Sequence, residues 1–182
     1  MKKLYIFIIV NTFFTLAIGQ TDIKQTFVLS QHYGGGIIFY LDPTGQHGLI
    51  AAPFDQPGYG SWVRDGLTGA NYMNDGALNT KMIVTFMKRK HWMNWEGTPA
   101  ACMCDSSKLG GFSDWYLPSI NELKAMYDEQ FMIGNFIAGD YCSSTERDSE
   151  ECWNIHFKPN KRVIFHYHKV WSGYNVRCIR KF

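Results

Sequence analysis

Beyond residue 19 the sequence lacks a long hydrophobic run, and it also lacks an excess of charge of either sign. A membrane-spanning helix needs about 20 consecutive apolar residues, so we expect no span in residues 20–182. Without the two lysines of residues 1–19, the 18 basic residues fall to 16, which equals the 16 acidic residues. A neutral chain argues against nucleic acid and against an anionic membrane as the main partner.

The one long apolar run lies at the start of the chain. Two lysines precede the apolar residues 4–18, and Ala17 and Gly19 supply small side chains just before Gln20. This order is typical of a secretory signal peptide. We therefore predict that residues 1–19 are a signal peptide and that the mature chain is exported, either to the periplasm or out of the cell.

The chain has only five cysteines. Oxidising compartments preserve disulfides, so an exported chain favours bridges between them. Because the number is odd, at least one thiol stays free or pairs with another chain. The spacing alone does not select among the possible pairings.

Strand patterns occur at both ends of the mature chain. The apolar runs 37–41 and 49–52 flank Asp-Pro-Thr-Gly, which fits a type I turn, so residues 36–52 predict a β-hairpin. Residues 53–76 are rich in Gly, Asn, Asp and aromatic residues and predict a long ordered loop. Three short strands and a closing one are predicted in the last third, within residues 140–146, 151–157, 161–170 and 174–182.

Two or three helices are predicted between these regions. Asn79 or Thr80 fits the cap of a helix that runs to about residue 90. A second helix is predicted with Thr98 as its cap, Pro99 as its first residue and Gly110 as its stop. A hairpin, a long loop, helices and then antiparallel strands make an α+β fold.

The stretch "GGFSDWYLPSINELKAMYDEQ" (110–130) could either form part of an active site or only begin a helix. Asp114, Ser119 and Glu122 are the residues that an active site could use. Ser119 followed by Glu122 is also the S-x-x-E capping box, and the apolar stripe that follows fits a helix. No histidine stands at a fixed distance to activate a nucleophile. We therefore interpret Ser119 and Glu122 as structural caps and predict no catalytic residue.

Several ordered stretches resemble one family, the Lcl C-terminal domain family of exported bacterial domains, which has no assigned function. They are "GGIIFYLDPTGQHGLIAA", "LNTKMI", "AACMCDSSKLGGFSDWYLPSINELKAMY", "YCSSTE", "CWNIHF" and "VRCIRKF". The resemblance covers residues 34–182 and leaves 20–33 as a linker or first strand. It implies a single domain with a C-type-lectin-like fold, which is also similar to the sulfatase-modifying enzymes.

The resemblance also implies cysteine pairings. Cys104 and Cys178 occupy positions at which family members often carry a pair of cysteines. Cys142 and Cys152 stand where the family usually has Trp and Ala, which suggests a second bridge across a hairpin. Cys102 is then the unpaired thiol.

Metal sites are weakly supported by the sequence. "ECWNIH" is similar to the Trp-Asn-Asp strand of calcium-dependent lectins, but Ile155 follows Asn154 in place of the aspartate, and calcium needs six to eight oxygen ligands. His156, His166 and His168 fall on neighbouring strands and form a candidate zinc or copper cluster. The alternative, which we favour, is that they are strand residues of a binding face. We predict no metal and no cofactor.

Aromatic residues make up 16% of the chain, and those in loops suit stacking on sugar rings. An equally good alternative is that they only hold the loops in place. The candidate ligand-binding residues are Tyr59, Trp62, Tyr72, Trp92 and Trp95 in the loops, with Asn154, His168 and Trp171 near the last strands. The leading hypothesis is a non-catalytic recognition or adhesion domain for a glycan or a cell-surface protein. The alternatives are an enzyme on a sulfatase-modifying-type scaffold and a structural subunit of a surface assembly.

Overall fold

A computed structural model of the chain describes residues 25–63, 66–92, 98–158, 162–170 and 173–182. It contains antiparallel sheets and short helices, which confirms the predicted α+β class. The strands are β1 (His32–Tyr33), β2 (Gly36–Leu41), β3 (Gly48–Ala51), β4 (Gly60–Ser61), β5 (Thr98–Pro99), β6 (Gly139–Glu146), β7 (Glu151–Phe157), β8 (Val163–His168) and β9 (Ile179–Lys181). The helices are α1 (Gly76–Arg89), α2 (Ala100–Asp105), α3 (Ile120–Asp128) and α4 (Gln130–Ile133). None of these helices is long and apolar enough to cross a membrane.

The first sheet has the strand order β1-β2-β3-β9 and is antiparallel throughout. The predicted hairpin is confirmed as β2 and β3, and its turn is closed by a 2.9 Å hydrogen bond from the Gly45 N–H to the Asp42 carbonyl oxygen. Ile50 of β3 lies opposite Arg180 of β9, so the end of the chain completes the sheet that the hairpin begins.

The second sheet has the strand order β6-β7-β8 and is also antiparallel. It confirms the three strands predicted in the last third. A bulge interrupts the pairing of β6 with β7 between Cys142 and Glu146. A further two-residue parallel pair joins β4 to β5, and it was not predicted.

The start of α1 differs from the prediction. The helix begins at Gly76, and its cap is Asp75, whose Oδ1 accepts from the Leu78 N–H at 3.2 Å. Asn79 and Thr80 are buried inside the helix instead of capping it. Both predicted caps were wrong because their polar side chains bond to other parts of the chain: the Asn79 Nδ2 donates to the Tyr72 carbonyl oxygen at 2.7 Å.

The predicted bounds of the second helix were also wrong. Thr98 and Pro99 form β5, and α2 begins at Ala100 with no side-chain cap bond. The pairing of β5 with β4 holds these two residues extended, so neither can begin a helix. Gly110 lies in a separate 3₁₀ turn, residues Leu109–Gly111, after α2 has ended.

Helix α3 confirms the capping box. The Ser119 Oγ accepts from the Glu122 N–H, and the Glu122 carboxylate accepts from the Ser119 N–H at 2.8 Å. The apolar stripe of α3, which includes Ile120 and Leu123, packs into the core. The short helix α4 that follows was not predicted.

The hydrophobic core lies on both faces of the first sheet. Because successive strand residues point to opposite faces, Ile38 and Ile50 enter one cluster while Ile37 and Phe39 enter the other. The first cluster packs against α1 and α2, and the second packs against α3 and the second sheet. This arrangement places the first sheet between α1 and α2 on one face and α3 on the other.

One of the two predicted disulfides is present in the structure. Cys104 and Cys178 are bridged, with their Cα atoms 5.4 Å apart, and the bond ties α2 to the segment before β9. The prediction of a second bridge was wrong, since Cys142 and Cys152 are buried free thiols, and Cys102 is free as predicted. The register explains the error: Cys142 lies opposite Asn154, so the two thiols are not directly across the ladder from each other.

Buried ion pairs hold the long loops. Lys169 and Glu146 are almost fully buried with their charged atoms 2.6 Å apart, and the Lys169 ammonium also donates to the Gly66 carbonyl oxygen at 2.9 Å. Arg177 is paired in the same way with Asp55 at 2.6 Å. Breaking one partner of such a pair leaves an uncompensated buried charge, which costs about 3–5 kcal/mol.

Candidate functional site

The predicted loop aromatics that the structure describes differ in their exposure. Tyr59 and Tyr72 are 67% and 47% exposed, as expected for ligand contacts. Trp62 is only 1% exposed, so its prediction as a stacking surface was wrong. Its indole N–H donates to the Ser143 carbonyl oxygen at 2.8 Å, which fixes it in the core.

The other two loop tryptophans give no exposed surface that the structure describes. Trp92 is half-buried against Phe86, with the ring centroids 5.8 Å apart. Trp95 lies outside the described residues.

Of the predicted residues near the last strands, the two that the structure describes differ in their exposure. Asn154 is buried, and its Nδ2 donates to the Cys152 carbonyl oxygen at 2.9 Å, so its prediction as a ligand contact was wrong. His168 is exposed at the end of β8, opposite Glu151 of β7. Trp171 lies outside the described residues.

Two of the three strand histidines lie against different carboxylates. His156 lies with its Nδ1 2.5 Å from the Asp140 carboxylate, and His166 with its Nδ1 2.8 Å from the Glu151 carboxylate. The register places His156 opposite Val163, away from His166. In the described part of the chain, no three His, Cys, Asp or Glu side chains are arranged to hold a metal ion.

The free thiol of Cys102 is a further group that chemistry could use. Burial, with a smaller contribution from the neighbouring Asp105 carboxylate, raises the pKa of the Cys102 thiol to about 11. The thiolate is the reactive form of cysteine, so Cys102 is almost wholly in its unreactive form at neutral pH.

A groove of about 460 Å³ opens where the first sheet meets α3. Its walls come from β2 and β3, from the end of the chain, from α3 and from the loop before α1. The lining residues are Tyr40, Asp42, His47, Gly48, Leu49, Asn74, Asn121, Glu122, Ala125, Lys181 and Phe182. Polar and apolar side chains therefore meet in one concave surface, which is the usual composition of a small-molecule site.

Tyr40 provides the exposed aromatic surface of the groove. A bulge shifts the pairing of β2 with β3 between Ile38 and Tyr40. Bulges re-aim side chains, and here Phe39 stays buried while Tyr40 is 46% exposed. Opposite the end of β2, Gly48 has no room for a side chain, because an added Cβ would lie against the Tyr40 carbonyl oxygen and the Phe182 ring.

A chain of hydrogen bonds orients the amide groups on the wall of the groove. Lysine can only donate, so the Lys124 ammonium donates to the Asn121 Oδ1 at 2.9 Å. The Asn121 Nδ2 must then donate, and it does so to the Asn74 Oδ1 at 2.7 Å. This order leaves the two N–H donors of the Asn74 side chain for another partner, and no described residue accepts from them.

Glu122 closes the inner end of the groove. Its Oε2 accepts from the Gly76 N–H at 2.9 Å and from both the N–H and the hydroxyl of Ser119 at 2.8 Å, while its Oε1 accepts from the Tyr116 hydroxyl at 3.0 Å. Burial and the adjacent carboxylate raise the pKa of Tyr116 above its ordinary value, so this phenol stays a neutral donor. A carboxylate with four donors is poorly placed to take a proton from a substrate, which supports the structural role.

Charged and polar groups line the outer rim. The Asp42 Oδ1 accepts from the Thr44 hydroxyl at 2.7 Å, and this bond lowers the pKa of Asp42. The Lys181 ammonium lies 3.3 Å from Asp75. The His47 Nδ1 lies 3.3 Å from the carbonyl oxygen of the last residue. A main-chain oxygen only accepts, so Nδ1 carries a proton, and in the tautomer with the proton on Nδ1 alone Nε2 is an acceptor.

The groove combines an exposed aromatic ring with polar groups at its rim, whereas the Glu122 carboxylate at its inner end is bonded within the fold. Sequence reasoning did not select Tyr40, Asn74, Asn121 or Lys181. The one local signal was the pair of asparagines in "NYMN" (71–74). The sequence analysis placed this stretch in the long loop and assigned it no role.

Comparison with known proteins leaves the family open. No protein-family model matches the chain, and no curated protein matches it either. The resemblance to the Lcl C-terminal domain family therefore stays a prediction, and the function has to be argued from the groove.

Proposed function

We propose that the chain is an exported, non-catalytic recognition domain of the Lcl C-terminal type, with a C-type-lectin-like fold, and that it binds a glycan in the groove between the first sheet and α3. The observation that carries this proposal is the half-exposed Tyr40 ring beside oriented hydrogen-bonding groups. The mature domain works in the periplasm or outside the cell.

Stacking on Tyr40 is the first supporting argument. A sugar ring has an apolar face of C–H groups and an edge of hydroxyl groups, so it suits an aromatic side chain surrounded by polar groups. The bulge in β2 holds Tyr40 in position on a sheet strand and not on a loop tip. A rigid support reduces the entropy that binding would otherwise cost.

The polar groups supply the second argument. The Asn74 amide offers two donors, whereas the Asp42 carboxylate and the His47 Nε2 offer acceptors. Hydroxyl groups both donate and accept, so a surface that mixes donors with acceptors matches a polyhydroxylated ligand. The volume of the groove also falls within the range of about 300–1,000 Å³ that small-molecule sites occupy.

A glycan array tests the proposal with the protein that lacks residues 1–19, in the presence and absence of a chelator. Tyr40→Ala removes the stacking surface, and Tyr59→Ala is the matched control, because Tyr59 is at least as exposed but lies outside the groove. We expect binding that survives chelation, is lost in Tyr40→Ala and is kept in Tyr59→Ala.

Two outcomes would overturn the proposal. The first is the absence of binding to every glycan on the array, which would move weight to a protein partner. The second is binding that persists in Tyr40→Ala, which would place the recognition surface elsewhere. Loss in Tyr59→Ala alone would return it to the Gly-rich loop that the sequence first suggested.

A further inference from the structure

We infer that the groove selects a neutral sugar that carries an N-acetyl group, such as a terminal N-acetylhexosamine, over uronic or sulfated sugars. This inference rests on the proposed function and specifies its ligand class. It follows from the charge of the lining, from the direction of the Asn74 donors and from the apolar residues beside them.

The charge of the groove disfavours an acidic sugar. Two carboxylates, those of Asp42 and Glu122, and one ammonium group, that of Lys181, belong to the lining. Lys181 is already within 3.3 Å of Asp75. Among the described lining residues there is no arginine, the residue best suited to bind carboxylate or sulfate in a bidentate manner. An anionic sugar would therefore meet an ionised Asp42 and no unpaired cation among the described lining residues.

The Asn74 side chain is exposed, so its two donors face solvent or a ligand, and an acceptor is the group that they would bind. Its Oδ1 accepts a hydrogen bond from the Asn121 Nδ2. The hydrogen-bond chain that starts at the Lys124 ammonium therefore sets the orientation of both amide groups. The carbonyl oxygen of an acetamido group accepts only, so it suits a pair of donors that cannot rotate to become acceptors. A plain hydroxyl at the same place gains less from this fixed direction, because it also needs an acceptor for its own proton.

Apolar side chains line the same groove and could contact the methyl of the acetamido group. Ala125 follows Asn121 by four residues on α3, so the two share one face of the helix. Leu49 of β3 also lines the groove, and it is nearly buried. A donor pair beside an apolar surface matches the two ends of an acetamido group, whereas the acceptors Asp42 and His47 are left for hydroxyl groups.

Titration calorimetry with N-acetylglucosamine, glucose and glucuronic acid tests the inference on the protein that lacks residues 1–19. We expect N-acetylglucosamine to bind about tenfold more tightly than glucose, which corresponds to one well-formed hydrogen bond with its apolar contact. Glucuronic acid is expected to bind more weakly than glucose.

One variant and its control test whether the preference for N-acetylglucosamine depends on the hydrogen-bond chain from Lys124 through Asn121 to Asn74. Asn74→Asp keeps the acceptor for Asn121 and removes both donors, so it should reduce the affinity for N-acetylglucosamine to that for glucose. Asn71→Asp is the matched control, because it adds the same charge to the same loop outside the groove lining, and it should keep the tenfold preference.

The outcomes separate the two proposals. Equal binding of glucose and N-acetylglucosamine, or tighter binding of glucuronic acid, overturns the acetamido inference and leaves the glycan site standing. A preference that is unchanged in Asn74→Asp also overturns it. No binding of any glycan, here and on the array, overturns the proposed function and the inference together.

Discussion

Replacing Glu122 by alanine should destabilise the fold strongly, because one carboxylate connects three parts of the chain. Its oxygens accept from Gly76 at the start of α1, from Ser119 at the start of α3 and from the hydroxyl of Tyr116. All of these contacts are buried. Alanine keeps a good helix former in α3, so the change removes the acceptor and leaves the helix propensity intact.

The expected loss in the free energy of unfolding follows from the number of buried donors that lose their acceptor. The N–H groups of Gly76 and Ser119 and the hydroxyl of Tyr116 are left unsatisfied, whereas the Ser119 hydroxyl can rotate. An unsatisfied buried donor costs about 1–3 kcal/mol. Three such donors, partly relieved by water entering from the groove, give a loss of about 4 kcal/mol in the free energy of unfolding. This is a large part of the about 5–15 kcal/mol that holds a typical domain together.

Urea denaturation followed by tryptophan fluorescence measures this loss. With an m value of about 2 kcal/mol per molar, the midpoint of Glu122→Ala should fall by about 2 M. Glu129→Ala is the matched control, since Glu129 follows α3 and its side chain makes no hydrogen bond among the described contacts. A shift in Glu122→Ala as small as the control's would refute the reasoning, because it would show that the three donors find other partners.

The remaining predictions concern other buried or paired groups. Cys104→Ser should lower the free energy of unfolding by about 4 kcal/mol, measured in urea, because the bridge closes a long loop. Lys169→Met should cost about 3 kcal/mol and be partly rescued by adding Glu146→Gln, which removes the stranded charge; no rescue would contradict this. The Arg180 guanidinium lowers the pKa of Asp114, so this pair's stabilisation is present above the ordinary aspartate pKa and is lost as pH falls through the lowered one. Because Asp114 is half-exposed, Asp114→Asn should reduce the acid-induced loss of thermal stability by less than about 1 kcal/mol. Cys102 should react with iodoacetamide at neutral pH far more slowly in native protein than in denaturant.

The parts of the fold that the sequence predicted depend on neighbouring residues. The hairpin of residues 36–52 needs two apolar runs and a turn. The box of Ser119 and Glu122 needs two side chains three residues apart. Each pattern is complete within a few positions, so no distant contact is needed to form it.

The errors come from contacts between distant residues. Asn79 is a good cap in isolation, but its amide bonds to the backbone of Tyr72 and so enters the core. Trp62 lies in a Gly-rich segment that predicts exposure, yet Ser143, 81 residues away, accepts its indole proton. Partners at such separations leave no local signal in a single sequence.

The groove was not predicted from the sequence for the same reason. Asn74 and Asn121 are 47 residues apart, and the exposure of Tyr40 depends on a bulge that only the paired strand reveals. Tyr40 and Asn121 lie within the quoted stretches, but no pattern in those stretches indicates that the two side chains line one groove. The site became visible only when the sheet, the loop and α3 were placed together.

Stability and ligand recognition depend on different residues of the groove. Glu122 is bonded to both helix starts, so its loss should weaken the fold and also loosen the wall that carries Asn121. Asn74 accepts one bond and leaves its donors unused, so Asn74→Asp should change ligand preference with little effect on unfolding. If Asn74→Asp instead destabilised the chain as much as Glu122→Ala, the amide relay would have a structural role, and the unused donors would no longer argue for a ligand.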